Sequence, residues 1–374
     1  MTPRRRRTDP DGSVVFELSR RKLPVPPSGT TFYALAVMLR SRLARTGALV
    51  LSLLVFIALF ADLLASDLPV ACVLQGKVVL LPNVTREIQS AEGASLRIDP
   101  LVLYGPLQVT QDVLVPPTTR HPLGTDMLGR DVFARVVHGT RSVLLVGLAA
   151  ALAFVALGVV LGALAGFFGG VIDTAVARLV ETLSAFPTLV IALVVQTIVA
   201  RPSVTTLLLA ITLTRWTEVA RIVRAEVLLA SEQDYVTSAR ALGAGPWRVL
   251  VRHVLPNAVA PAFVAVTFGI ASVVLVEATL DFLGIGVPTA VPSWGEALGE
   301  AREHADAWWL FLGPGLMMFL CVGSFNIVGE ALRDALDPRL RESVRIDPSG
   351  LDALSSRASM IPPSSASFDP SSHA

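Results

Sequence analysis

Six stretches of this chain run for about twenty residues each with almost no charge, and that pattern decides which solvent the chain folds in. Crossing roughly 30 Å of hydrocarbon at 1.5 Å per residue takes about 20 apolar residues. The first stretch runs from Thr46 to about Ser66 and is charge-free until Asp62, the second lies within Ser142 to Ile172, and the third fills Thr182 to Ala200. The fourth, Pro202 to Thr214, reaches full length only by continuing through Arg215 to about Ala220. The fifth occupies Ala258 to Val276 with Glu277 at its end, and the sixth Ala307 to Gly329, closed by Glu330. Hydrocarbon offers backbone groups no partner, so such segments must be helical. Of the 374 residues 53% are hydrophobic and only 16% charged, against about 25% charged in a typical soluble domain. The sequence predicts an all-α polytopic membrane protein with six transmembrane helices.

Orientation follows from basic residues close to the spans. Arg4 to Arg7, Arg20, Arg21, Lys22, Arg40, Arg42 and Arg45 precede the first span and place the N-terminus in the cytoplasm. Six crossings return the C-terminus to the same side. The connection holding Arg221, Arg224, Arg240, Arg248 and Arg252 then falls inside, as does the tail with Arg333, Arg339 and Arg341. The expected organisation is a cytoplasmic tail over residues 1–45, a first span over 46–66 and an external segment with an interfacial helix over 67–140. A five-helix core over 141–338 and a disordered cytoplasmic tail over 339–374 complete it. Ala71 to Leu81 alternates loosely and predicts one or two short strands in the external segment.

The same residues exclude several chemistries. A net charge of +1 gives no basic surface for nucleic acid, and Cys72 and Cys321 are too few for a cysteine-built metal site. The only lysines, Lys22 and Lys77, are followed by Leu23 and Val78, so no G-x-x-x-x-G-K-[ST] phosphate loop exists. The histidines show no H-E-x-x-H spacing and no G-x-S-x-G elbow is present, which ranks a membrane enzyme last.

Local motifs are more informative. Gly158, Gly162 and Gly166 recur every four residues and share one helix face, a packing surface or a gate. In the loop over 232–256, Ser231 stands three residues before Asp234 as an N-cap signal for a helix from Gln233 to Leu242. That helix places Tyr235, Ala239 and Leu242 on one side, and Gly243 stops it. Gly245-Pro246 restarts a second helix, which Leu255-Pro256 is expected to end. Gly124 to Asp131, with Asp126, Gly129 and Arg130, predicts a turn leading into a short amphipathic helix that braces the outer surface. Trp294, Trp308 and Trp309 sit where interfacial aromatics belong. Glu277 either faces a cavity or is solvated near Asp281. Arg215 and Glu218, three residues apart, could pair.

At this point the sequence resembles a family. Tyr235-Val236-Thr237-Ser238-Ala239-Arg240-Ala241-Leu242-Gly243-Ala244, followed by Arg252-His253-Val254-Leu255-Pro256-Asn257, is similar to the cytoplasmic EAA loop of binding-protein-dependent ABC importer permeases. The closest likeness is to the C-type subunit of the dipeptide/oligopeptide/nickel subfamily. His121-Pro122-Leu123-Gly124-Thr125-Asp126, Gly129-Arg130-Asp131-Val132-Phe133, Ala185-Phe186-Pro187 and Phe282-Leu283-Gly284-Ile285-Gly286 fit the same subfamily. Pro292-Ser293-Trp294-Gly295 and Leu332-Arg333-Asp334-Ala335-Leu336-Asp337-Pro338-Arg339 continue the order. Three departures stand out: Thr237-Ser238-Ala239 replaces Glu-Ala-Ala, span four carries Arg215 and Glu218, and the insert from Asp67 to Arg120 is long. Its Ser66-Asp67-Leu68-Pro69 start weakly resembles permeases that import microcin-like peptides.

The resemblance implies a type I ABC importer permease fold with an external insert after helix 1, in a bacterial inner membrane. It implies a homologous B-type permease, two cytoplasmic ABC ATPases and an extracytoplasmic solute-binding protein as partners, with ATP and Mg on the ATPases and no cofactor on this chain. Tyr235, Thr237, Ser238, Ala239, Leu242, Gly243, Leu255 and Pro256 would form the coupling loop, and Glu277 a pathway residue. Small peptides are the default cargo; nickel, glutathione-like and oligosaccharide substrates use similar permeases. An ion-coupled secondary transporter stays open on Arg215, Glu218 and Glu277 alone.

Overall fold

The computed structural model describes residues 6–8, 14–16, 41–74, 77–85, 94–199, 202–286 and 291–336. The arginines at 4, 5, 20, 21, 40, 201, 339 and 341, Lys22, and the tail over 339–374 therefore lie outside the described residues.

In chain order, strands Arg6–Thr8 (β1) and Val14–Phe16 (β2) pair antiparallel ahead of helices Arg42–Leu59 (α1) and Ala61–Leu64 (α2). Strands Ala71–Leu74 (β3) and Lys77–Leu80 (β4), helix Pro82–Thr85 (α3) and strand Leu96–Ile98 (β5) follow. Then come helices Val132–Phe168 (α4), Gly170–Ser184 (α5), Thr188–Ile198 (α6) and Val204–Ser231 (α7). Asp234–Ala241 (α8) and Pro246–Val249 (α9) lead through a π-helical turn, Leu250–Val254, into Leu255–Ala258 (α10). Ala260–Phe282 (α11), Trp294–Glu303 (α12) and Trp308–Leu336 (α13) close the chain.

Among the described residues, four helices are long and apolar enough to cross a membrane: α1, α4, α11 and α13. The expected third span is a bent pair instead, with α5 and α6 meeting at 80°. Pro187 causes the break, because it offers no N–H and its ring disfavours helical backbone at Phe186; it stands as the N-cap of α6. α7 is one continuous helix of 28 residues that carries Arg215, Glu218 and Arg221 in its first five turns. The first helix starts before Thr46 and ends at Leu59, and α4 begins ten residues ahead of Ser142.

Caps explain where several of these helices begin. Ser41 Oγ accepts from the Ala44 amide at 2.9 Å, and Asp131 Oδ1 from that of Ala134 at 2.7 Å. Ser203 and Thr206 form a reciprocal capping box at the start of α7. Each satisfies amides that a helix start otherwise leaves open.

The centre of the bundle is the α4–α7 contact. A Cβ on Gly158 would stand 2.6 Å from Val219 Cβ, one on Gly162 2.5 Å from Ala220 O, and one on Gly166 2.7 Å from Arg224 O. The three glycines are thus a seam where two backbones touch, the packing role rather than the gate. α11 crosses the other side of α4, with Gly269 against the Phe154 ring, and α13 packs on α11 and α1. The strands between α2 and α4 form one sheet in the order β4-β3-β5, with Val78 and Leu96 flanking Val73.

Candidate functional site

Three polar regions interrupt the apolar bundle: a two-helix loop, a charged brace at the far end of α4, and a cavity beside α7.

The loop starts where α7 runs out. Ser231 lies inside α7 with its hydroxyl buried and unpartnered, so it does not cap α8; the turn at Glu232 moves the N-cap to Gln233, which makes no side-chain cap bond. The other end matches its sequence signal. Gly243 takes φ +81°, its amide donates to Arg240 O at 2.9 Å, and the Ala244 amide donates to Ala239 O at 3.1 Å. That pair of bonds is a Schellman stop. Gly245 caps α9 with Pro246 in its first turn.

Leu255-Pro256 does not end the second helix. Pro256 cannot donate to the carbonyl four residues back, and the backbone widens into the π turn Leu250–Val254, after which α10 continues to Ala258. Val236, Val249, Leu250 and Val254 are buried and fasten the loop to the bundle. The Arg240 guanidinium lies 5.4 Å from the Phe167 ring centre, and the Trp247 and Phe168 rings are 5.1 Å apart, so both halves of the loop rest on the end of α4. Asn257 donates to the Tyr235 hydroxyl at 3.2 Å. The outward face is open: Leu242 is 89% exposed and Trp247 61%, with Thr237 and Ser238 exposed beside them. Ala239 is turned half inward.

The brace is the opposite case. Gly124 to Asp131 forms turns at Gly124 (φ +70°) and Gly129 (φ +72°), and Asp131 caps α4 directly. No separate amphipathic helix intervenes, because the capped helix start is the first turn of α4 itself. Asp126 accepts from Arg130 Nε at 2.6 Å, and Arg130 Nη2 reaches Glu300 at 3.0 Å and Glu296 at 3.3 Å. Arg135 Nη2 donates to Glu296 at 2.6 Å. His121 Nδ1 lies 2.8 Å from Asp131 Oδ2, and its ring stacks on Tyr104 at 4.4 Å.

Asp126, Arg130, Asp131 and Arg135 are all buried. Burial works against the charge on Arg130, yet Asp126, Glu296 and Glu300 hold its pKa above the ordinary value. Burial raises the Asp131 carboxyl above its ordinary value despite the bonds from Ala134 and His121, and raises that of Glu300, with Asp126 adding to it. Trp294 and Trp309 are buried too, not interfacial: their indole N–H groups donate to Val136 O and Thr125 O, each at 3.1 Å. Only Trp308 keeps the exposure expected of it.

The cavity, of about 620 Å³, opens between α7, α11 and the end of α13. Arg215, Glu218, Ile222 and Glu226 line it from one face of α7, with Phe154, Val264, Phe268 and Arg333 opposite. Arg215 Nη2 pairs with Glu218 at 3.0 Å and the guanidinium sits 5.8 Å from the Phe154 ring centre. Glu277 does not line this space. It is enclosed on α11, 2% exposed, one turn before Asp281, which takes a short hydrogen bond from the Ser293 hydroxyl. It is therefore neither solvated nor facing the cavity.

The site residues expected from sequence thus fall into separate places: the loop set at one end of α4, Gly124 to Asp131 at the other, the glycine seam between, and Glu277 apart. Arg135, Glu296 and Glu300 were not singled out by sequence, and His121 only as the first residue of a motif. The i, i+4 spacing of Glu296 and Glu300 behind Trp294 was the available signal.

Comparison with known proteins gives the chain a family. The family described as binding-protein-dependent transport system inner membrane component matches residues 158–342. A putative peptide transport system permease of Brucella suis is 40% identical over 227 residues, covering 60% of this chain and 76% of that protein. The dipeptide transport system permease of Haemophilus influenzae is 41% identical over 221 residues, 59% of this chain and 75% of its own. The oligopeptide transport system permease of Bacillus subtilis is 38% identical over 229 residues, 61% and 74%. The chain belongs to the binding-protein-dependent transport system inner membrane component family, the multi-pass permease subunits of ABC importers.

Proposed function

We propose that this chain is one half of the translocation pathway of a peptide importer, paired with a second, homologous permease. In this reading α1, α4, the α5–α6 pair, α7, α11 and α13 make six crossings, with both termini and the 232–256 loop on the cytoplasmic side. Two ATPases carrying ATP and Mg bind below, and a solute-binding protein delivers cargo from outside. Membership of an ABC family sets aside the ion-coupled transporter and the membrane enzyme. The relatives named for peptide transport support peptides over nickel, glutathione-like or microcin-like cargo.

One observation carries the reading: a short helix, stopped by a Schellman turn and fastened by buried valines, holds Tyr235, Leu242 and Trp247 exposed on its outer face. A rigid knob tied to α7 and α11 is what an ATPase dimer needs to move those helices as bodies when it closes. No phosphate loop exists here, so the energy must arrive through such a contact. Thr237-Ser238-Ala239 in place of Glu-Ala-Ala leaves hydroxyl and apolar contact rather than an ionic one.

Affinity capture from membranes containing the whole transporter tests this. The intact chain is expected to retain a specific ATPase, and a chain lacking residues 232–256 to lose it while still inserting. Equal retention by both chains would sink the assignment of the loop.

A further inference from the structure

The cavity beside α7 has a composition that packing alone does not account for. Arg215 is the twelfth residue of α7 and Glu226 the twenty-third, so the lined face starts about 16 Å along the helix and extends to about 33 Å. Charges at membrane depth occur where they face an aqueous cavity or one another. Here both hold: Arg215 pairs with Glu218, and both line a space of about 620 Å³ that also takes in Glu226 and Arg333. Glu226 and Arg333 form no ion pair among the described residues, and the buried Arg215 Nε has no hydrogen-bond partner. The wall between these groups is apolar: Phe154, Val264 and Phe268.

We infer that this cavity is a contact site for the zwitterionic backbone of a short peptide, with Arg215 taking the terminal carboxylate and Glu218 or Glu226 the terminal ammonium. The proposal rests on reading the chain as a peptide permease and extends it to a site within the bundle. Charges of both signs around the cavity, two arginines and two glutamates, suit a ligand that carries both signs at separated ends. A sugar offers no charge to either group, and a divalent cation answers the glutamates but leaves both arginines without an anion.

The lengths agree. An extended chain spans about 3.3–3.6 Å per residue, so a dipeptide covers the rise of about 4.5 Å from Arg215 to Glu218, and a pentapeptide the rise of about 16.5 Å from Arg215 to Glu226. Because only the backbone termini are read, side chains lie against the apolar wall and their identity matters little. The Arg215–Glu218 pair closes the site when it is empty, and exchange of partners, one ion pair for two, keeps both groups satisfied while the peptide passes.

The experiment uses the assembled transporter in membrane vesicles, with radiolabelled dialanine, its N-acetylated form and its amide as probes. Wild type is compared with Arg215→Gln, Glu218→Gln and the swapped pair Arg215→Glu/Glu218→Arg, and ATPase capture confirms assembly of each. Dialanine uptake is expected to fall about tenfold in each single variant and to recover in part in the swap. Without the binding protein, detergent-solubilised wild-type transporter is expected to retain dialanine saturably and to retain neither blocked form. Wild-type uptake and retention in both single variants, or equal retention of the three probes by wild type, would overturn the site and leave the peptide reading standing. Absence of peptide uptake by the wild-type transporter would overturn the peptide reading itself. Where a variant fails to assemble, the three-probe comparison on wild type decides.

Discussion

The two ends of α4 handle polar residues in opposite ways. At its start, Arg130 is 3% exposed and is ion-paired to Asp126, Glu296 and Glu300; at its end, about 55 Å away, Leu242 is 89% exposed on a loop whose outer face is open. Both ends are built on glycines at positive φ. The brace closes most of its charges on one another and joins α4 to α12, whereas the loop fastens its inner side chains to the end of α4 and leaves Thr237, Ser238 and Leu242 exposed. Polar groups met within the chain belong to the fold, and the open face of the loop is the surface that the proposed ATPase contact would use.

The strongest way to break this comparison is to remove one charge from the brace. Arg130→Met leaves Asp126, Glu296 and Glu300 with Arg135 as the one cation still paired among them. Removing one member of a buried pair costs about 3–5 kcal/mol. The variant is expected to reach the membrane at much reduced levels and to unfold at lower temperature in detergent. Arg130→Met with Asp126→Leu should recover part of the loss, since two apolar groups restore neutrality. Normal stability of the single variant would mean that the brace does not hold the fold.

The loop is expected to respond the other way. At Gly243 a Cβ meets nothing within 4 Å, so Gly243→Asp is limited to the strain of a left-handed residue, about 1 kcal/mol. Membrane levels should stay near wild type while ATP-driven uptake is lost, because the stop of α8 shifts and a charge enters the contact face. Uptake at the wild-type rate in a well-expressed variant would break the contrast at this end.

The legible features were those written in local chemistry. Gly243 as a stop, Gly245-Pro246 as a restart and the four-residue glycine period each depend on a few neighbouring residues, and each was visible in the chain. The brace depends on Arg130 meeting Glu300 from 170 residues away, and hydropathy gives a charged residue no value for a partner it cannot see. Trp294 and Trp309 were misread for the same reason: a tryptophan near a span end is interfacial unless something buries its N–H bond, and here Val136 and Thr125 do. Pro187 was seen but not weighed, and Pro256 was read as a helix end. One bends a span by 80° and the other produces a π turn, because a missing N–H has different outcomes at a helix start and inside a packed helix.

The smallest effect, and the finest test of the contrast, is in pH. Burial holds the Asp131 carboxyl above its ordinary value of 3.8. The folded chain therefore binds this proton more tightly than the unfolded chain does. The contribution of Asp131 is complete below the ordinary carboxylate range and is lost as pH rises through the raised value. Asp131→Asn is neutral throughout and keeps an oxygen for the Ala134 amide, so it removes that slope and leaves the others in place. Thermal unfolding of the two proteins in detergent, from about pH 4 to about pH 7 where such carboxylates titrate, should show the Asn variant gaining on wild type as pH rises. The opposite trend would mean that the ionised Asp131 is held by a protonated His121, 2.8 Å away, more strongly than burial opposes it.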